Sequence, residues 1–168
     1  MILTKQENIV LLATKIFEIL ATHQLTICTA ESCTGGLISA FLTELPGSSS
    51  YFLGGIVSYS NELKIDLLGV REQTLEEFGA VSEACAIQMA EGALKETGAD
   101  IAIAITGIAG PSGGSVEKPV GTVFIGTAHK KKTTIQKYHL KGDRSGIRME
   151  SVDLALQQVL KFCKEEYS

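Results

Sequence analysis

The sequence contains no tryptophan, only 6% aromatic residues and three prolines. Scarce rings leave an aliphatic, alanine-rich core to carry the packing. Scarce proline beside 17 glycines points to tight turns rather than disordered linkers. Positive charge is also short: 19 acidic residues outnumber 15 basic ones, for a formal net charge of −4. That is the wrong sign for a general nucleic-acid binder, whose affinity rests on neutralising phosphates. The basic cluster Lys130-Lys131-Lys132 lies between two strand-like runs and reads as a solvated hairpin tip. No apolar run is long enough to span a bilayer. The stretch from Ile9 to Leu20 is interrupted by Lys15 and Glu18 and lacks the basic leader and cleavage site of a signal peptide. A cytoplasmic chain with no membrane contact is expected. The cysteines, Cys28, Cys33, Cys85 and Cys163, form no Cys-x-x-Cys pair and no zinc-like spacing with histidine. Reduced, packed thiols and no metal are expected.

What is present suits one domain spanning residues 1–168, with 45% hydrophobic residues to build a core. Thr4-x-x-Glu7 has the form of a capping box before a helix with Ile9, Leu12, Ile16, Ile19 and Leu20 on one side. Leu25 to Thr29 reads as a strand, followed by a glycine turn and a helix that stops before Pro46-Gly47. Tyr51 to Tyr59 is strand-like. Two short helices follow at 62–68 and 72–78, then a longer one capped by Ser82 and ended by Gly98. Ile101 to Ile105 is continuously apolar, the pattern of a strand buried on both faces. A hairpin around the lysine tip and a long helix begun at Asp143 or Ser145 complete the chain. Alternating strands and helices plus a late hairpin predict an α/β fold, a three-layer α/β/α domain with a mixed sheet.

Ligands of open α/β sheets collect beyond the carboxyl ends of strands. Residues 30–36, 59–64 and 106–114 follow strands and are placed to gather there. The serine segment 47–50 precedes a strand and must fold over that edge to join them. In Glu31-Ser32-Cys33-Thr34-Gly35-Gly36 the backbone amides suit an anion and Cys33 is a possible nucleophile; the plainer reading is a tight turn capped by Ser32 or Thr34. Gly107, Gly110, Gly113 and Gly114 let a backbone pass close to a ligand. Thr106 either bonds substrate or caps a strand carbonyl. His23, His129 and His139 stand away from the glycine turns. Lys64, at a strand-to-helix junction, becomes a general base if desolvated and is otherwise a solvated helix lysine. Arg144 and Arg148, one turn apart near a helix start, suit a phosphate monoester or form a surface pair.

In one order along nearly the whole chain stand Ala30-Glu31-Ser32-Cys33-Thr34-Gly35-Gly36, Pro46-Gly47-Ser48-Ser49 and Gly55-Ile56-Val57-Ser58-Tyr59-Ser60-Asn61-Glu62-x-Lys64. After them come Gly79-Ala80-Val81-Ser82, Thr106-Gly107-Ile108-Ala109-Gly110-Pro111, Lys118-Pro119-Val120-Gly121-Thr122-Val123 and Gly142-Asp143-Arg144. In these blocks the sequence resembles the CinA C-terminal domain family, the nicotinamide-nucleotide amidohydrolases. The resemblance implies metal- and cofactor-free hydrolysis of the carboxamide of nicotinamide mononucleotide to nicotinate mononucleotide and ammonia. It implies a serine nucleophile at Ser49, with Ser48 the other candidate, a lysine base at Lys64 and an assisting Tyr59. Thr106 would hold the carboxamide, Arg144 or Arg148 the phosphate, and Ser48, Gly35, Gly107 and Gly110 would line the substrate site. Members often carry a larger N-terminal domain. This chain begins almost at its first helix, so a stand-alone form is expected, and by resemblance a homodimer. A catalytically silent nucleotide-binding or partner-regulating module, and a cysteine amidase using Cys33, are the alternatives.

Overall fold

Ile101, Ile103 and Ile105 alternate with Ala102 and Ala104 along one strand, and that alternation organises the molecule. The large residues enter one core with helices on one face of the sheet; the small ones let a second helical layer approach closely on the other. The structure, a computed structural model, describes residues 3–130 and 132–167; Lys131 of the basic cluster lies outside them. In chain order the elements are α1 (Lys5–His23), β1 (Ile27–Glu31), α2 (Leu37–Leu42), β2 (Phe52–Val57), α3 (Asn61–Leu68), α4 (Glu72–Phe78), α5 (Glu83–Thr97), β3 (Ile101–Gly107), β4 (Thr122–His129), β5 (Lys132–His139) and α6 (Arg144–Tyr167).

The sheet has five strands in the order β2-β1-β3-β4-β5. Strands β2, β1 and β3 are parallel, and β3-β4 and β4-β5 are antiparallel. The domain is thus a three-layer α/β/α fold on a mixed sheet. One core joins α1, α2 and α6 to Ile27, Ile103 and Ile125. The other sets α5 and the end of α3 against Cys28, Ala30 and Ala102. All four cysteines are free and buried.

Local chemistry explains the helix ends. Thr4 and Glu7 form the capping box of α1. The Ser82 hydroxyl accepts from the Cys85 amide, and Gly98, at φ 71, ends α5 in the left-handed region. Asp143 accepts from the Gly146 amide at 2.7 Å and begins α6. Helix α2 departs from expectation: neither Ser32 nor Thr34 caps it. The carboxylate of Glu31 takes the amides of Gly36, Ile38 and Ser39 instead. No helix among the described residues is long and apolar enough to cross a membrane.

Candidate active site

Because β1, β2 and β3 are parallel, their carboxyl ends share one edge of the sheet. The turn after β1, the junction after β2 and the glycine loop after β3 meet there. A cavity of about 270 Å³ opens between them, walled by Ser32, Tyr59, Lys64, Thr106, Gly110 and Arg144 among others. Its apolar side comes from Ala80, Val81, Ile108 and Ala109.

Lys64 lies on α3, the helix that Ser60 caps by accepting from the Leu63 amide. Its side chain reaches back under the junction and is only 1% exposed. The amine donates to the Ser58 carbonyl at 2.6 Å and to Ser32 Oγ at 3.2 Å. Burial lowers its pKa below the ordinary lysine value, against a smaller opposing pull from the Cys85 and Cys33 thiols. A lysine so placed is a base in waiting, with a hydroxyl in reach.

Cys33 lines the same cavity, but burial pushes its thiol up to about 11, so it stays protonated and a poor nucleophile near neutral pH. Thr106 Oγ1 donates to the Ala80 carbonyl at 2.8 Å, which leaves its lone pairs turned to accept. Arg144, the first residue of α6, donates to the Gly110 carbonyl at 2.8 Å and to the Tyr59 hydroxyl at 2.9 Å. Tyr59 is 57% exposed and stands at the mouth, bonded to Arg144 while Lys64 is bonded to Ser32 and Ser58.

Six of the expected site residues therefore converge: Tyr59, Lys64, Thr106, Gly107, Gly110 and Arg144. Four do not line this cavity. Ser48 and Ser49 sit in a 3-10 turn, Ser48–Ser50, ahead of β2. The next residue, Tyr51, accepts the Ile27 amide at the start of β1, so the turn occupies the opposite end of the sheet. The six residues of β2 separate it from Lys64 by roughly 15–20 Å at the ordinary rise of a strand. The segment precedes its strand, as the sequence order indicates, and does not fold over to the far edge. Arg148 faces inward, donating to the Thr34 carbonyl at 2.8 Å beneath Gly35, and so supports the turn from behind. Gly35 and Gly36, at φ 61 and 97, supply the left-handed backbone by which the turn reverses into α2. Ser32, read from sequence as a cap, is the hydroxyl that meets Lys64. Its sequence signal was its place directly after a strand of the parallel set. Among the described residues, no three His, Cys, Asp or Glu side chains gather as a metal site.

A three-layer α/β/α domain with a buried lysine and a serine at the carboxyl edge of its parallel strands is the class these observations define. Residues 10–163 match the CinA C-terminal domain, and the chain belongs to that family. It is 49% identical over 150 residues to a CinA-like protein of Thermotoga neapolitana, covering 89% of this chain and 36% of the relative. With a CinA-like protein of Geotalea daltonii it shares 54% identity over 131 residues, 78% of this chain and 32% of the relative. The chain thus spans about a third of the length of these curated relatives. Among solved structures, the competence/damage inducible protein CihA from Agrobacterium tumefaciens superposes with TM-score 0.90 at 44% identity, covering 92% of this chain and 94% of that one. A competence-damaged protein (CinA) superfamily protein from Escherichia coli gives TM-score 0.90 at 34% identity, with 96% and 94% covered.

Proposed function

We propose that this chain is an amidohydrolase acting on the carboxamide of nicotinamide mononucleotide, with Ser32 rather than Ser49 as nucleophile and Lys64 as general base. The observation that carries the reading is the 3.2 Å contact between the Lys64 amine and Ser32 Oγ, at a lysine whose charge burial disfavours. A serine hydroxyl needs a base to become nucleophilic, and a desolvated lysine supplies one. Neutral Lys64 donates one N–H to the Ser58 carbonyl and turns its lone pair to the Ser32 hydroxyl. General-base help of this kind is worth about 10²–10⁴-fold.

Attack forms the Ser32 Oγ–carbon bond and moves the carbonyl electron pair onto oxygen. The Cys33 and Thr34 amides of the turn that holds Ser32 are the candidate donors to the oxyanion. The Gly35 amide is engaged with the Ser32 carbonyl, and those of Gly36, Ile38 and Ser39 with Glu31. Each such donor contributes about 2.7–4 kcal/mol. Collapse expels ammonia with the proton held by Lys64, and water then cleaves the acyl-enzyme to nicotinate mononucleotide. Thr106, its hydrogen already given to Ala80, accepts from the carboxamide NH2. The wall of Ala80, Val81 and Ile108 suits the pyridine face. Arg144, at the rim of this cavity, would meet the 5′-phosphate with guanidinium hydrogens beyond those given to Gly110 and Tyr59.

The test is ammonia release from nicotinamide mononucleotide by purified variants. Ser32→Ala and Lys64→Met are each expected to lower kcat by about 10³-fold or more, while Ser49→Ala stays within about twofold of the parent. Loss on Ser49→Ala with retention on Ser32→Ala would return the nucleophile to the 3-10 turn Ser48–Ser50. Tight nucleotide binding with no ammonia from the parent chain would make this domain a binding module.

A further inference from the structure

We infer that Glu31 is the positioning residue of the serine turn: its carboxylate holds Ser32 in the place and orientation from which it meets Lys64. The inference takes its substrate from the amidohydrolase reading above, but its geometry stands without it. Glu31 is the last residue of β1, fully buried, and the direct neighbour of Ser32. One carboxylate oxygen accepts from the Ser39 amide at 2.8 Å, the Ser39 hydroxyl at 2.7 Å and, more loosely, the Thr29 hydroxyl at 3.4 Å. The other accepts from the Thr34 hydroxyl at 2.7 Å and the amides of Gly36 and Ile38 at 3.0 and 3.1 Å. Among the described residues, no ion pair includes Glu31.

A buried carboxylate is costly unless donors satisfy it. Here all six donors come from residues 29–39, the segment that contains Ser32. The turn cannot slide along the strand without breaking several of these charge-assisted bonds at once. The backbone of the same residue reaches the other partner. The Glu31 carbonyl accepts from the Ser58 amide at 2.9 Å, and the Ser58 carbonyl accepts from the Lys64 amine at 2.6 Å. One residue thus fixes the hydroxyl through its side chain and the amine through its main chain. Its carboxylate touches neither reacting atom, so it positions and takes no part in proton transfer.

Glu31→Gln keeps the size but turns an NH2 toward at least one backbone N–H, and the turn must shift to relieve that clash of donors. Displacement of a reacting group by about 1 Å costs on the order of 10²-fold. Glu31→Gln is therefore expected to lower kcat for ammonia release about 100-fold with KM within about threefold. Labelling of Ser32 by an aryl sulfonyl fluoride, followed by mass spectrometry, should slow by a similar factor. Thr34→Val keeps the carboxylate charged, removes one donor and serves if Glu31→Gln fails to fold; about a tenfold loss in kcat and in labelling rate is expected, again at constant KM. Parent-like kcat and labelling in either folded variant, or a rise in KM alone, would overturn the inference. If the parent labels at Ser32 yet releases no ammonia, the substrate reading fails and the labelling comparison decides the role of Glu31. A parent that does neither overturns both.

Discussion

At the scale of the residue, Lys64 shows how burial sets chemistry. Its amine sits between a carbonyl and a hydroxyl, with burial working against its charge. With Lys64 as the proposed base, catalysis by its neutral amine is expected to rise with pH through that lowered pKa and level off above it. The pH profile of kcat/KM should show this rising limb, and Lys64→Arg, which cannot lose its proton, should be inactive at every pH. Stability follows the same sign. A lysine whose folded pKa lies below its unfolded value binds fewer protons when folded, so stability increases as pH rises between the two values. Denaturant midpoints of the parent should climb over that window, and those of Lys64→Met should climb less. The lysine was legible in sequence because a strand-to-helix junction announced it. The proposed nucleophile was harder to read: Ser48, Ser49 and Ser50 are conspicuous as a run, whereas Ser32 is one small residue in a glycine turn. The run precedes β2, and the structure shows that it does not fold over to the edge where Lys64 lies.

At the scale of the element, nearly every helix and strand follows from periodicity and end signals, because each buries one face and closes with a capping side chain or a glycine. Helix α2 is the exception. With six residues it is too short to hold itself, and a carboxylate from the preceding strand supports it. That contact joins residues five to eight apart across a turn, beyond the range of a capping signal. Close approach between elements is equally hidden. A side-chain carbon on Gly92 of α5 would run into the Leu68 carbonyl at the end of α3. Gly92→Ala should therefore lose about 1–3 kcal/mol despite the better helix propensity of alanine, read as a lower denaturant midpoint. An unchanged or higher midpoint would mean that α3 can retreat at no cost. Because Lys64 rides on α3, the same variant should also disturb turnover.

At the scale of the whole molecule, the two terminal helices lie together on one face. Lys5 donates to Glu150 at 2.6 Å and to Asp153 at 3.0 Å, and Asn8 donates to Asp153 at 2.8 Å. Asp153 is nearly buried, so its bonds are shielded from solvent, whereas the Lys5–Glu150 pair is half in water. Asp153→Ala is expected to cost about 1.5–3 kcal/mol by equilibrium unfolding, and Glu150→Ala well under 1 kcal/mol. Comparable losses for both would contradict this ranking. The three-layer class could be read from the order of elements, but such long-range pairs leave no local trace.

The bond between Arg144 and Tyr59 has a kinetic consequence. It joins residues 85 apart in the chain, and the contact between Ser32 and Lys64 spans another 32. Closing loops of that length is paid in chain entropy before the contacts return anything, so such pairings tend to form late. Until the first turn of α6 docks, the cavity lacks the arginine at its mouth. During refolding, activity should return with the last phase that docks α6, not with the earlier gain of helical signal.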